Sequence, residues 1–302
     1  MCGRRGFTLV DLIVVVIALI LLCVLLSRGF TRLHVGAPIV KDASQVRGIT
    51  QGCIAFAKDN DGLFPLPSVH DREIKRWGSP SQSNDTTENI VSLLYSRRVL
   101  GSFSMLICPT ETNSAIREFQ ESSVVPDGRC APADSTRDMW EPQLRADFTR
   151  GMGNISYAHL QPSGKRYGRW SLGAGADDVV WADRGPEIVS VNYAADGSAG
   201  VKCRSDASYA LRNNHGKPGK LELNVAFGDG HVEIRHELAF SPTDVKRGAN
   251  RGYTRMSSGS GSISPDVWNY DEPDDADISA NTYLGIFIKA GPTPADFKAI
   301  WD

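Results

Sequence analysis

The pattern of hydrophobic and polar positions begins with one long apolar run. Residues 7–26 form a run of 20 residues in which Asp11 is the single charge. As a helix this run would be about 30 Å long, which is enough to cross the hydrocarbon core of a bilayer. The start of the chain therefore predicts a transmembrane helix.

A second helical pattern follows the apolar run. Over residues 43–57, apolar residues recur at a helical period with polar residues between them. The sequence DNDG at residues 59–62 predicts the end of this helix, with Gly62 as a left-handed C-cap. Gly36 and Pro38 lie between the two patterns and predict a kink or a melted turn.

The rest of the chain alternates short apolar segments with polar stretches rich in Gly and Pro. Residues 89–100 predict a short amphipathic helix, and residues 257–264 (SSGSGSIS) predict a flexible connector. Asp229-Gly230 predicts a type I′ turn between two strands.

We expect an α+β fold with a long N-terminal helix packed on an antiparallel β-sheet with long loop insertions. The predicted strands are residues 154–160, 178–182, 187–191, 221–227 and 231–236.

Composition and charge limit the function classes. The chain has 302 residues, with 33 basic and 35 acidic side chains and a net charge of −2. This mild acidity argues against nucleic-acid binding, which normally requires a basic face. The length and a hydrophobic content of 41% allow one exported domain with its own core.

Four of the six cysteines follow the apolar run and could pair in three ways. The spacing of Cys108 and Cys130 around a polar, Pro-containing loop favours a disulfide between them in an oxidising compartment. An inert buried thiol is the alternative for Cys53, which lies in the helical apolar stripe.

Asp11 is the feature of the apolar run that needs an explanation. A carboxylate at that depth costs about 2.5–3.5 kcal/mol, so a charged partner is expected. If the chain were cut between Gly6 and Phe7, the new α-amino group would lie four residues from Asp11 on the same helix face. The N-terminus of a neighbouring chain would serve equally well, which makes Asp11 a candidate assembly residue.

Two simpler interpretations of the apolar run are a cleaved secretory signal peptide and a plain signal anchor. Arg4 and Arg5 precede the run, so its N-terminal end should stay in the cytoplasm and the following domain should be exported. A secretory signal fits poorly, because the run is long and no small-x-small cleavage site follows it.

The N-terminus resembles the class III signal of type IV pilins and type II secretion pseudopilins. The family signal joins a short basic leader ending in Gly to Phe-Thr-Leu and an acidic residue, usually Glu. The matching residues are Gly6, Phe7, Thr8, Leu9 and Asp11. The resemblance implies cleavage after Gly6 by a prepilin peptidase, N-methylation of Phe7 and an assembly role for Asp11.

Further segments resemble proteins of the same kind. Residues 54–65 resemble the helix end and following loop of major pseudopilins. Residues 103–109 resemble the Leu-x-Cys-Pro segment of large prepilin-like proteins of the Planctomycetes and Verrucomicrobia type. Residues 213–232 resemble the C-terminal His…Asp-Gly signature of those proteins, with a longer loop between His and Asp-Gly in this chain. Residues 181–184 resemble the short segment that precedes this signature.

The resemblance implies a function and a location. The chain would be a structural subunit of a type II secretion pseudopilus or a type IV pilus-like filament, without enzymatic activity. Its partners would be prepilin peptidase, other pilin or pseudopilin subunits and the inner membrane, which it would cross once with its domain on the periplasmic side. The implied parts are the leader (1–6), a membrane and filament-core helix (7–29), an amphipathic helix (30–62), a pilin-like domain (63–256) and a connector with an acidic end (257–302).

Two sets of residues are candidate metal ligands. His215, Asp229 and His231 suit zinc or another divalent ion, and the alternative is that Asp229 simply forms a turn. The acidic C-terminal stretch suits calcium, and Ala276-Asp277-Ile278 resembles the end of the calcium loop of major pseudopilins. Its alternative is a solvated acidic loop. The calcium candidates are Asp266, Asp271, Asp274, Asp275 and Asp277.

Catalytic motifs do not favour an enzyme. The sequence contains no Gly-x-Ser-x-Gly, His-Glu-x-x-His or phosphate-binding loop. The alternative function is a membrane-anchored, exported metal-dependent hydrolase or ligand-binding domain that happens to carry a pilin-like signal.

Overall fold

The computed structural model describes the N-terminal helix, most of one β-sheet and the loops that join them. Its main feature is a single helix of 50 residues, α1 (Leu9–Lys58). The structure describes residues 9–70, 81–120, 144–176, 178–185, 188–193, 199–203, 222–236, 254–256, 263–265 and 284–300.

α1 is continuous through Pro38, so the predicted melted turn at this position is wrong. A proline removes one backbone N–H from the helix, and the turns on either side keep their own hydrogen bonds. The predicted helix end is confirmed. Asp61 and Gly62 have positive φ values of 52° and 77°, and the Gly62 N–H donates to the carbonyl of Ala57 at 2.9 Å.

Shorter helices follow α1. The helix predicted over residues 89–100 is α3 (Thr87–Ser96), which ends earlier than predicted because Arg98 adopts a left-handed conformation with a φ of 58°. The others are α2 (Pro67–His70) and 3₁₀ turns at Gln82–Asn84, Phe103–Leu106, Gly164–Arg169 and Pro294–Asp296.

The main sheet has six strands in the order β10-β9-β1-β2-β5-β6, and every pair of neighbours is antiparallel. Its strands are β1 (Tyr157–Leu160), β2 (Val179–Asp183), β5 (Leu223–Phe227), β6 (Val232–Arg235), β9 (Leu284–Lys289) and β10 (Lys298–Ile300). Separate two-stranded sheets pair β3 (Ile188–Tyr193) with β4 (Ala199–Cys203), and β7 (Thr254–Met256) with β8 (Ile263–Pro265). The molecule is therefore an α+β protein with an antiparallel sheet, as expected.

Two features of the sheet differ from the sequence-based expectation. The end of the predicted connector, 257–264, belongs to β8, and residues 257–262 lie outside the described residues. β9 and β10 come from the segment predicted to follow the pilin-like domain, yet β9 pairs with β1 in the main sheet. The C-terminal residues thus complete the sheet.

The β5–β6 hairpin is confirmed, but its turn type is not I′. A type I′ turn requires positive φ at both central residues, and in this turn only Gly230 has one, at 89°. The Gly230 N–H donates to the Phe227 carbonyl, and the Phe227 N–H donates to the His231 carbonyl. This is a three-residue loop with a left-handed glycine at its third position.

Candidate functional site

The N-terminal part of α1, residues 9–23, is here called the front segment. Every large apolar side chain described between Leu9 and Leu22 is exposed, from 45% at Val16 to 74% at Leu9. The exposed positions cover all sides of the helix rather than one stripe. A helix that is apolar all round is normally buried in a membrane or among other helices.

The processing and assembly candidates lie at the start of this segment. Gly6 and Phe7 lie outside the described residues, and so do the leader arginines. Asp11 lies in the first turns of α1, but its side chain is not described. The predicted roles of these three residues therefore stay predictions.

Among the residues that the structure describes, no helix has both the length and the hydropathy that are needed to cross a membrane.

The C-terminal part of α1, residues 42–58, is called the back segment and packs on the sheet. One face carries the apolar stripe Val46, Ile49, Cys53, Phe56 and Ala57, each at most 2% exposed. The stripe meets β2, β5 and β6. This spacing of three and four residues is the stripe of an amphipathic helix that faces a core.

A buried polar cluster lies at the N-terminal end of that stripe, between α1, β1, β2 and β5. The Tyr157 hydroxyl donates to Asp42 Oδ1 at 2.7 Å, and Asn224 Nδ2 donates to Asp42 Oδ2 at 2.5 Å. The Asn224 backbone N–H donates to Asp183 Oδ2 at 2.7 Å. Oxygen atoms of the Asp42 and Asp183 carboxyl groups lie within 4.8 Å of each other. All four residues are buried.

Burial dominates the electrostatics of this cluster. It raises the pKa of the Asp183 carboxyl to about 6, although hydrogen bonds with Asp42 and the Asn224 N–H oppose the shift. Burial, together with the nearby carboxylates, also raises the pKa values of the Tyr157 hydroxyl and the Cys108 thiol. The neutral forms of these side chains are therefore favoured.

Arg184 is the cation that follows Asp183 in the chain, and it forms an ion pair with another group. Its guanidinium contacts both carboxylate oxygens of Glu111, and the Nη2–Oε1 distance is 2.9 Å. The Ser156 hydroxyl also donates to Glu111, at 2.7 Å. The buried charge of Arg184 is thus balanced mainly by Glu111.

Asp42, Cys108 and Asp183 form the one group of metal-type donors that the described residues bring together, with donor atoms within 4.8 Å of one another. The hydrogen-bond donors of Tyr157 and Asn224 point at these carboxyl oxygens. These donors are directed at both oxygens of Asp42 and at Oδ2 of Asp183, where their hydrogens would repel a cation. We therefore assign no metal to the cluster.

The zinc-type candidates are not assembled by the described residues. Asp229 Oδ1 accepts a hydrogen bond from the His231 N–H at 3.0 Å and lies 2.6 Å from His231 Nδ1. Both side chains are exposed at the hairpin turn, and the His231 ring stacks on Phe227. His215 lies outside the described residues. This geometry matches the alternative in which Asp229 shapes the turn.

The remaining candidates involve undescribed parts of the chain. The calcium candidates Asp266, Asp271, Asp274, Asp275 and Asp277 lie outside the described residues. Cys108 is a free buried thiol whose Sγ lies 3.2 Å from the Thr110 hydroxyl, and its predicted partner Cys130 is also outside them. The predicted disulfide is therefore not observed in the described part of the chain. Cys53 is a buried thiol, which agrees with the alternative given for it in the sequence analysis. It accepts a hydrogen bond from Trp181 Nε1.

Sequence reasoning missed Asp42, Tyr157 and Asn224 as partners of one cluster. A signal was present in the helical period, because Asp42 precedes Val46 and Ile49 on the apolar stripe of α1. A carboxylate on an apolar stripe needs a buried partner, as was argued for Asp11. The partners themselves could not be identified, since Asn224 is 182 residues from Asp42 along the chain.

Comparison of the chain with protein families, with curated proteins and with solved structures finds no match.

Proposed function

We propose that this chain is a pilin-like structural subunit of a type II secretion pseudopilus or a type IV pilus-like filament. The observation that carries the proposal is the contrast within one continuous helix. The front segment exposes apolar side chains on all sides, whereas the back segment is packed on the antiparallel sheet of its own domain. A long helix of this kind suits a subunit whose front segment is covered by lipid first and by other subunits later.

The exposed side chains supply a strong driving force for this burial. Each large apolar side chain contributes about 1.5–3 kcal/mol when it moves from water into an apolar environment. Twelve such side chains between Leu9 and Leu22 are exposed. Covering them inside a bilayer or a bundle of helices would therefore be strongly favourable.

The residues around the N-terminus would carry out processing and assembly. Prepilin peptidase would cleave between Gly6 and Phe7 at the inner membrane, and Phe7 would be N-methylated. Asp11 would then pair with the new amino group of a neighbouring subunit, which offsets the cost of a carboxylate among apolar helices. The domain that begins with the back segment would lie on the periplasmic side.

The test uses Asp11 with a matched control. In the full chain, produced together with a prepilin peptidase and the other filament subunits, we expect Asp11→Ala to be processed normally but to be absent from sheared filaments. Asp11→Glu keeps the negative charge and introduces the residue that the family usually has at this position, so it should assemble. Asp11→Ala subunits in filaments at the wild-type level would contradict the proposal.

The alternative of a metal-dependent hydrolase or ligand-binding domain has no comparable support. Within the described residues, Asp229 and His231 lie at an exposed turn, and both oxygens of the buried Asp42 carboxyl accept hydrogen bonds from Tyr157 and Asn224.

A further inference from the structure

We propose that the Asp42–Asp183 carboxyl pair is a pH-sensitive contact that holds the back segment of α1 against the sheet. The contact between α1 and the sheet is stable while the pair keeps one shared proton, and it weakens when both carboxyl groups ionise. This inference is independent of the proposed filament function, because it concerns only how the helix is held on its own domain.

The geometry favours a proton on the pair. Asp42 comes from α1 and Asp183 from β2, and the two side chains are 0% and 1% exposed. Oxygen atoms of the two carboxyl groups lie within 4.8 Å of each other, and Asn224 donates to both groups. Two ionised carboxylates in contact repel each other strongly when water is excluded. Ionisation of both would thus place a repulsion directly at the helix–sheet contact.

Hydrogen-bond donors without charge face the pair from several of the described elements. Tyr157 from β1 and Asn224 from β5 are neutral hydrogen-bond donors, and Gln45 from α1 lies beside the Tyr157 hydroxyl. The Cys108 thiol is held neutral by burial, which raises its pKa. The charged neighbours that act on Asp183 are Arg184 and Glu111, and they are paired with each other.

The hydrogen bonds indicate which carboxyl group carries the proton. Asp42 accepts from two side-chain donors, Tyr157 and Asn224, so its ionised form is supported. Asp183 accepts the Asn224 backbone N–H, and its pKa is raised to about 6 by burial. We therefore place the proton on Asp183, with the understanding that the two groups titrate as a pair.

The sign of the pH effect follows from the raised pKa. An unfolded Asp has a pKa of 3.8, so between this value and about 6 the folded protein holds a proton that the unfolded chain has released. The stability from this group is fully present below pH 3.8 and is lost as the pH rises through about 6. Between pH 5 and pH 8 the loss corresponds to a change on the order of tenfold in the opening equilibrium.

The experiment measures hydrogen exchange of the amides of residues 43–57 in the full chain in detergent micelles, with rates corrected for the intrinsic effect of pH. In the wild type we expect their protection to fall by about tenfold from pH 5 to pH 8. Asp183→Asn cannot ionise but keeps an acceptor for Asn224 and a donor for Asp42, so its protection should not fall over this range. If the protection of these amides falls equally with pH in the wild type and in Asp183→Asn, the proposal is overturned.

Asp85 provides a matched control. Burial also raises the pKa of this carboxyl to about 6, but it binds the Ser68 N–H and hydroxyl, away from α1. Asp85→Asn should therefore leave the pH dependence of α1 protection as in the wild type. If Asp85→Asn removes that dependence, Asp42 and Asp183 are not its source.

Infrared spectroscopy covers the case in which Asp183→Asn does not fold. Infrared spectra of the folded chain with ¹³C-labelled aspartate should contain buried protonated carboxyl bands at pH 5 that are lost by pH 8. In Asp85→Asn, one such band should remain and titrate. Absence of that band at pH 5, or a pH profile that disappears with a chelator, would overturn the proposal.

Discussion

The front and back segments of α1 each contain an aspartate that needs a partner for its charge, and the partner has a different source in each segment. Both the front and the back segment place an aspartate on an apolar helix surface, at Asp11 and at Asp42. In the back segment the fold itself supplies the partners, because Tyr157, Asp183 and Asn224 surround Asp42. In the front segment we propose that the partner comes from a neighbouring subunit. A carboxylate on an apolar helix face thus indicates a missing contact, and only the fold shows whether that contact is internal.

The largest expected difference between the segments is in the effect of removing one apolar side chain. Phe56 in the back segment is 2% exposed and packs edge-on against His70. We expect Phe56→Ala to lower the free energy of unfolding by about 3–5 kcal/mol, because it leaves a cavity in the core. Chemical denaturation of the full chain in micelles, followed by circular dichroism, measures this change.

Leu19→Ala in the front segment is the matched control. Leu19 is 55% exposed, so this change should leave the unfolding free energy of the domain within about 0.5 kcal/mol of the wild type. Equal destabilisation by the two substitutions would contradict the division of α1 into an unpacked front and a packed back.

A smaller effect is expected from the hydrogen bond that Tyr157 makes to Asp42. Tyr157→Phe removes one donor from a buried carboxyl group, and we expect it to cost about 1.5–3 kcal/mol of unfolding free energy at pH 8. The cost should be similar at pH 5, because the shared proton lies on Asp183 and Asp42 stays ionised. A cost at pH 5 of only about 0.5–1.5 kcal/mol, as for a hydrogen bond between neutral groups, would place the proton on Asp42 instead.

The smallest effect concerns the end of α1. Gly62 has a φ of +77°, and a Cβ added there would meet no atom within 4 Å. Gly62→Ala should therefore cost about 1–2 kcal/mol from backbone strain alone. Gly151, whose added Cβ also meets nothing and whose φ is not positive, serves as the control, and Gly151→Ala should change stability by less than about 0.5 kcal/mol.

Local signals in the sequence predicted the local parts of the fold. The helix end at residues 59–62 and the β5–β6 hairpin depend on glycines and on periodicity within a few residues, and both were found. The place of β9 in the sheet depends on pairing with β1, which lies far away in the chain. Such long-range contacts produce no signal in the local pattern of hydrophobic and polar residues.

One member of the buried carboxyl pair could be predicted from the sequence, and its partner could not, because the contact between them is long-range. The position of Asp42 on the apolar stripe is visible in the sequence, and it requires a buried partner. Asp183 lies in residues 181–184, which the sequence analysis identified only by their resemblance to prepilin-like proteins. Its contact with Asp42 arises because α1 packs on β2 and β5, which the sequence alone does not specify.

The central claim is that the front segment belongs to a processed filament subunit, and the mature N-terminus tests it most directly. Mass spectrometry of the chain produced with a prepilin peptidase should find an N-terminus at Phe7 that carries one methyl group. Gly6→Ala should retain the leader of residues 1–6. A mature N-terminus at any other residue, or an intact leader on the wild-type chain, would contradict the account.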